Sequence, residues 1–172
     1  VRLEATGALG RIKESTASEP LANLLKEKDV KIRTEAAQAL GSIGDARTIE
    51  PLVAALQKET DWDVRESICE ALAKADKAAV EPLIKALRHP RVEMRTQMTR
   101  ILGTIGDIRS VGPLIEALQD KEPEVRVEAV RALGKMGDPK AVPHLSEALK
   151  DKDADIRRQA AKALGEIGDN GA

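Results

Sequence analysis

DVKIRTEAAQALGSIGDARTIEPLVAAL, residues 29–56, reads as two helices joined by a tight turn. Asp29 is an N-cap whose carboxylate can accept from the free amides of a first turn, and Ile32, Ala36, Ala39, Leu40 and Ile43 recur at helical spacing. This is helix A. Gly44 supplies a left-handed C-terminal position without Cβ strain, and Asp45 can cap the next helix. Helix B then carries Ile49, Leu52, Val53, Ala55 and Leu56 as its apolar face.

The same hairpin recurs along the chain. Leu21, Leu52, Leu83, Leu114 and Leu145 fall at one constant interval, as do Leu25, Leu56, Leu87, Leu118 and Leu149. A second register runs through Arg2, Arg33, Arg65, Arg95, Arg126 and Arg157, each followed two helical turns later by a leucine, from Leu9 to Leu164. Gly-Asp turns return as Gly106-Asp107, Gly137-Asp138 and Gly168-Asp169, and in Asp138-Pro139 the proline occupies a first helical position. Pro20, Pro51, Pro82 and Pro113 fall inside segment B, where a missing amide should kink the helix or delay its regular start; in the fifth unit the proline is at 143. One hairpin cannot cover its own apolar face, so stacked copies must share a continuous core. The expected fold is therefore an all-α solenoid of about five and a half units, with approximate bounds 1–28, 29–60, 61–89, 90–120, 121–151 and a partial 152–172, forming a single repeat domain.

Composition agrees and narrows the function. Among 172 residues there is no Phe, no Tyr and one Trp, which excludes a core built on aromatic rings. Lys and Arg total 28 against 29 Asp and Glu, so no global positive field draws the chain onto nucleic acid or anionic membrane. The lone Cys69 has no internal disulfide partner and reads as a small buried residue; with no signal peptide and no apolar run of membrane-spanning length, a cytoplasmic location is expected. The chain opens on Val1 inside a helix A, and neither end carries a polar cap, so it is expected to be a piece of a longer protein in which end-to-end contacts are open.

Units such as Val125-Arg126-Val127-Glu128-Ala129-Val130-Arg131-Ala132-Leu133-Gly134, followed by Gly137-Asp138-Pro139, resemble the HEAT-like repeats named after phycobilisome (PBS) lyases. The resemblance covers essentially the whole chain. It implies a right-handed superhelix with the B helices lining the concave face, and a function in bilin lyase subunits, phycobilisome degradation or protein interaction. A similar repeat enzyme, deoxyhypusine hydroxylase, builds a di-iron site from His-Glu pairs, but here His89 precedes Pro90 and His144 precedes Leu145, so that site is not carried over. Two histidines far apart in sequence, without a third ligand, do not make a metal centre. No Gly-rich phosphate loop, nucleophile elbow or catalytic carboxylate pair is present, and neither a cofactor nor catalysis is expected of this chain.

Four features stand out. The repeated Arg can grip a ligand, but Asp29–Arg33, Asp61–Arg65, Glu122–Arg126 and Asp153–Arg157 are i,i+4 acid-to-base pairs, so a structural role is expected. Arg88, His89, Arg91, Arg95 and Arg100, against Glu93 alone, form the most basic stretch, suited to an acidic segment or a phosphate, or else a solvated face. Trp62, beside an extra residue in an inter-repeat turn, is either an anchor for a partner or the cover of an adjacent apolar edge. The same unit lacks a Gly-Asp turn, reading Leu72-Ala73 and Ala75-Asp76, and Ile68 and Met98 replace a repeated Ala, which should hold helix A farther from its neighbours.

On the B face, exposed rows are expected at Glu19, Glu50 and Glu81; at Asn23, Lys85, Glu116 and Glu147; and at Lys26, Gln57, Arg88, Gln119 and Lys150. An acidic row beside a basic one suits an extended peptide or helix carrying both charges. The expected function is non-catalytic binding of another protein along this face or at the irregular units 61–100. The alternative is a bilin lyase-like or chaperone subunit, disfavoured by the scarcity of aromatic side chains; nucleic-acid binding is disfavoured by the charge balance and the absence of stacking rings.

Overall fold

A computed structural model describes residues 15–170, and within them every regular element is helical. In chain order these are α1 (Ser18–Leu24), α2 (Val30–Ile43), α3 (Ile49–Lys58), α4 (Trp62–Lys74), α5 (Val80–Ala86), α6 (Val92–Ile105), α7 (Val111–Ala117), α8 (Pro123–Met136), α9 (Val142–Ala148) and α10 (Ala154–Asn170). Even-numbered helices are the A helices of the repeat and odd-numbered ones the B helices. The helix A expected around Arg2 and Leu9 lies outside the described residues. None of the described helices is long and apolar enough to cross a membrane.

The turns form as the residues dictate. Asp29 accepts from the Lys31 amide at 2.8 Å, and Asp45, Asp107 and Asp138 each accept from the amide two residues on. Gly44, Gly106 and Gly137 stand at φ 67°, 68° and 70°, where a Cβ would be strained. Each of these Gly-Asp turns leads into a three-residue 3₁₀ turn, and the B helix becomes regular only after it. Pro51 and Pro113 are thereby third residues, and Pro143 a second, of an α-helix, where no intrahelical partner is lost. The prolines delay the helix and do not kink it. Gly168-Asp169 does not end a helix, because α10 continues through it to Asn170. Where Gly is replaced by Ala75, the left-handed position moves one residue on to Asp76, φ 51°, which is the only non-glycine residue with positive φ among those described.

The chain divides into two compact units, residues 1–82 and 83–172. In the first, α2 packs on α4, with α1 against α2 and α3 against α4; in the second, α6, α8 and α10 pack in sequence, with α7 against α8 and α9 against α10. Stacked leucines fill each core: Leu21, Leu40, Leu52, Leu56 and Leu72 in the first, Leu83, Leu102 and Leu114 in the second. Neighbouring A helices approach through glycine. A Cβ on Gly41 would lie 2.7 Å from Ala71 Cα, one on Gly103 2.4 Å from Ala132 Cβ, and one on Gly134 2.6 Å from Ala163 Cβ. Met98 is fully buried in α6, yet the Gly103 contact persists, so the larger side chain does not hold α6 away from α8.

The repeated arginine is structural, but through partners other than the i,i+4 acid. Arg33 donates from Nε and Nη2 to both oxygens of Glu59, at 2.7 and 3.1 Å. Arg95 does the same with Asp120 at 2.7 and 2.9 Å, and Arg126 with Asp151 at 2.8 and 3.1 Å. Each carboxylate sits 25 or 26 residues downstream, past the end of helix B of the same repeat, so the fork ties the start of helix A to the end of helix B within one hairpin. The remaining Nη1 donates to loop carbonyls five and six residues upstream, as in Arg95 to Pro90 and His89. Arg65 donates to the Glu59 and Leu56 carbonyls, and Arg157 to those of Asp151 and Lys152.

Candidate functional site

On the B-helix side of each unit, the spacing between successive short helices leaves a groove. In the first unit it runs between α1 and α3, about 610 Å³, lined by Ala22, Leu25, Lys26, Pro51, Ala54 and Ala55, with Lys58 and the Arg33–Glu59 pair at its end. In the second it runs between the end of α5 and α7, about 540 Å³, lined by Ile84, Leu87, Arg88, Pro113, Glu116 and Ala117, with Lys85 on one wall and Asp120 at its end. The two are one site repeated. Moving two repeats along the chain from Ala22, Leu25, Lys26, Pro51, Ala54 and Ala55 gives Ile84, Leu87, Arg88, Pro113, Glu116 and Ala117 in turn. Each groove has a proline that removes an amide from its wall and a cation at one matching place, Lys26 or Arg88. The facing wall differs: Ala54 in one, Glu116 in the other.

The charges around these grooves are of two kinds. At the closed end, Glu59 and Asp120 are committed. Burial works against their ionisation, but hydrogen bonds from Arg33 or Arg95 and from loop amides outweigh it and hold both carboxyls below their ordinary range. Along the open rim, Arg88 and Glu116 come only to 3.7 Å, with side chains 85 % and 73 % exposed, so each can be recruited by a partner at little cost.

The residues singled out in the sequence fall in different places. Glu50 and Glu81 are exposed on α3 and α5, and Lys85 and Glu116 are exposed on α5 and α7. Arg88 is exposed at the groove rim, but the basic stretch to which it belongs is not one patch. His89 is half-buried, its Nδ1 accepting from the Arg91 amide at 3.2 Å, and Arg91 lies 3.8 Å from Glu93. Arg95 has a side chain only 7 % exposed and is committed to Asp120, which removes it from any binding surface. The helical turn of α6 is the reason: within its first turn the chain has already rotated inward. Trp62 is the first residue of α4 and is 72 % exposed, so it does not cover the adjacent hairpin. Cys69 is buried, and no group of three or more His, Cys, Asp or Glu side chains placed to hold a metal occurs among the described residues.

The sequence shows the residues of these grooves but not the grooves. Pro51 and Pro113 read as helix punctuation, and the acids at 59, 120 and 151 do not stand out in the sequence. The usable signal is the near-constant spacing from each A-helix Arg to an acid after helix B of the same repeat. His89 occupies the matching place in its own repeat: it keeps the role of acceptor for the amide two residues on, which Glu59, Asp120 and Asp151 also play, but brings no carboxylate.

Comparison with known proteins agrees with this architecture. The family model for HEAT repeats matches residues 1–73 and 111–172, and that for the PBS lyase HEAT-like repeat matches residues 94–120. Among solved structures, the complex of CpcE and CpcF of phycocyanin lyase from Nostoc sp. PCC7120 is 28 % identical over 97 % of this chain and 71 % of that chain, with TM-score 0.53. An engineered protein is 26 % identical over 97 % and 90 % of the two chains, TM-score 0.54. Human deoxyhypusine hydroxylase, at 20 % identity over 98 % and 79 %, TM-score 0.58, shares the fold. No curated protein sequence matches the chain.

Proposed function

Because the chain belongs to the family of HEAT repeats, we propose that it is a non-catalytic module that binds another protein, seating an extended or helical segment in the grooves between successive B helices. The observation that carries this reading is the recurrence of one groove two repeats apart with its cation and its proline in register. A groove of the same design in each unit suits a partner segment of the same chemistry in either one. The exposed pair Arg88 and Glu116 accepts both signs of charge, and Lys26 with Lys58 favours an acidic side chain in the first unit. The 28 % identical relative is itself a complex of two proteins, which supports a protein partner here.

Selection of peptides from a random displayed library on the full chain tests the proposal. Recovered sequences are expected to carry acidic residues, and Lys26→Glu or Arg88→Glu should weaken their binding about tenfold, the equivalent of one good charge contact of about 1.4 kcal/mol. Peptides that bind both variants unchanged, or no enrichment, would remove the grooves as the binding site. A second reading, a subunit handling a bilin, is favoured by the PBS lyase repeat match at 94–120. It requires a bilin added to the chain to change its visible absorption on mixing.

A further inference from the structure

The A helices of the first unit hold a second surface, which shares no residue with the B-face groove. A cleft of about 480 Å³ runs between α2 and α4, lined by Val30, Lys31, Thr34, Glu35, Gln38, Trp62, Asp63, Glu66, Ser67 and Glu70. Val30 and Trp62 are the first residues of α2 and α4, the same position in two consecutive repeats, so the stacking of the repeats sets them on the same edge of the cleft. They are 37 % and 72 % exposed, and they are two of the four large apolar side chains left exposed among the described residues. An indole held open at a helix start, with its backbone fixed by the Asp61 cap, loses little freedom on making a contact.

Charge selects the occupant. Glu35, Asp63, Glu66 and Glu70 line this cleft against Lys31 alone. Between α8 and α10 in the second unit a cleft lies farther along the helices and has the opposite balance, with Arg131, Lys135 and Lys162 against Glu166. The repeat positions of Glu66 and Glu70 are Arg158 and Lys162 there, while those of Glu35 and Asp63 keep the acids Glu128 and Asp155, so the acidity particular to this cleft comes from α4. We propose that the α2–α4 cleft docks a basic peptide segment of a partner protein, with an Arg or Lys side chain laid over the Trp62 ring and its neighbours paired with Glu35 and Glu70. An arginine suits both demands, because its guanidinium is attracted to the face of an indole and its methylene stem covers apolar surface such as Val30.

Trp62 is the only tryptophan of the chain, so its emission reports this cleft directly. The experiment is a titration of the full chain with octaarginine, followed by tryptophan fluorescence and by calorimetry, with octaglutamate and an uncharged apolar octapeptide as comparisons. A saturable change in emission is expected for octaarginine alone. The affinity should fall at least about tenfold on moving to high salt, where the Debye length shrinks to about 3 Å. By calorimetry, Trp62→Ala and the double change Glu35→Lys with Glu70→Lys should each weaken binding about tenfold or more, with unaltered helical circular dichroism and melting temperature. Octaarginine binding that leaves the emission unmoved, or that survives both variants, would overturn the proposal. So would an equal response to the apolar peptide or to octaglutamate, or self-association that Trp62→Ala abolishes, which would give the cleft to a second copy of the chain.

Discussion

At the scale of single residues, the repeat is held to tolerances of a few tenths of an ångström. Gly103 and Gly165 occupy the same position of helix A and both sit within α-helix, where alanine is preferred over glycine by about 1 kcal/mol. Their surroundings differ. A Cβ on Gly103 would meet Ala132 Cβ at 2.4 Å and its Cα at 2.8 Å, atoms fixed on the backbone of α8, while one on Gly165 would meet nothing within 4 Å. Gly103→Ala should therefore destabilise by about 1–2 kcal/mol, since overpacking outweighs propensity. Gly165→Ala should stabilise by up to about 1 kcal/mol. Urea unfolding midpoints moving in opposite directions would establish the difference. Ser110 gives a prediction of the reverse kind: its buried hydroxyl has no hydrogen-bond partner, whereas Thr48, two repeats earlier, donates to the Asp45 carbonyl at 2.7 Å. The matching residues Ala79 and Ala141 are fully buried without a hydroxyl. Ser110→Ala should raise stability by about 1 kcal/mol in the same measurement, because an unsatisfied buried polar group is removed.

At the scale of elements, the arginine fork closes each hairpin, tying the start of helix A to the end of helix B, while the remaining Nη1 reaches the loop that leads in from the preceding repeat. Arg95 and Asp120 have side chains 7 % and 14 % exposed. Removing either one leaves a charge buried without its partner, so Arg95→Met or Asp120→Leu should cost about 3–5 kcal/mol each. The double variant should cost clearly less than the sum, and a thermodynamic cycle over the four proteins checks it. Helices A and B, their Asp caps and the glycines at 44, 106 and 137 were legible in the sequence, because each is fixed by residues within one turn of each other. The fork was not, because its partners are separated by most of a repeat and a nearer acid offers a plausible pair at i,i+4. Trp62 was legible as unusual, but its exposure depends on where the first residue of α4 stands relative to α2. The basic run from Arg88 failed for a related reason: charge along a sequence says nothing of face, and α6 turns Arg95 into the core.

At the scale of the molecule, these forks make stability depend on acid. Glu59 in the first unit and Asp120 and Asp151 in the second are each pressed upward by burial and drawn down further by a bonded guanidinium and by loop amides, with the net effect downward. When the chain unfolds, these carboxyls return toward their ordinary values of 4.5, 3.8 and 3.8. A group whose value is lower in the folded state binds fewer protons there, so its contribution is complete above the unfolded value and is lost as pH falls through the folded one. The melting temperature should thus be level from neutral pH down to about 5 and fall steeply below about 4. Pairs this buried are weakly screened, so added salt should change the neutral-pH melting temperature little. The paired variant Asp120→Asn with Asp151→Asn should melt lower at pH 7 and show a shallower acid limb, read by circular dichroism across the pH series. An acid limb as steep as that of the parent would place the titrating groups elsewhere and leave the forks as geometry without electrostatic weight.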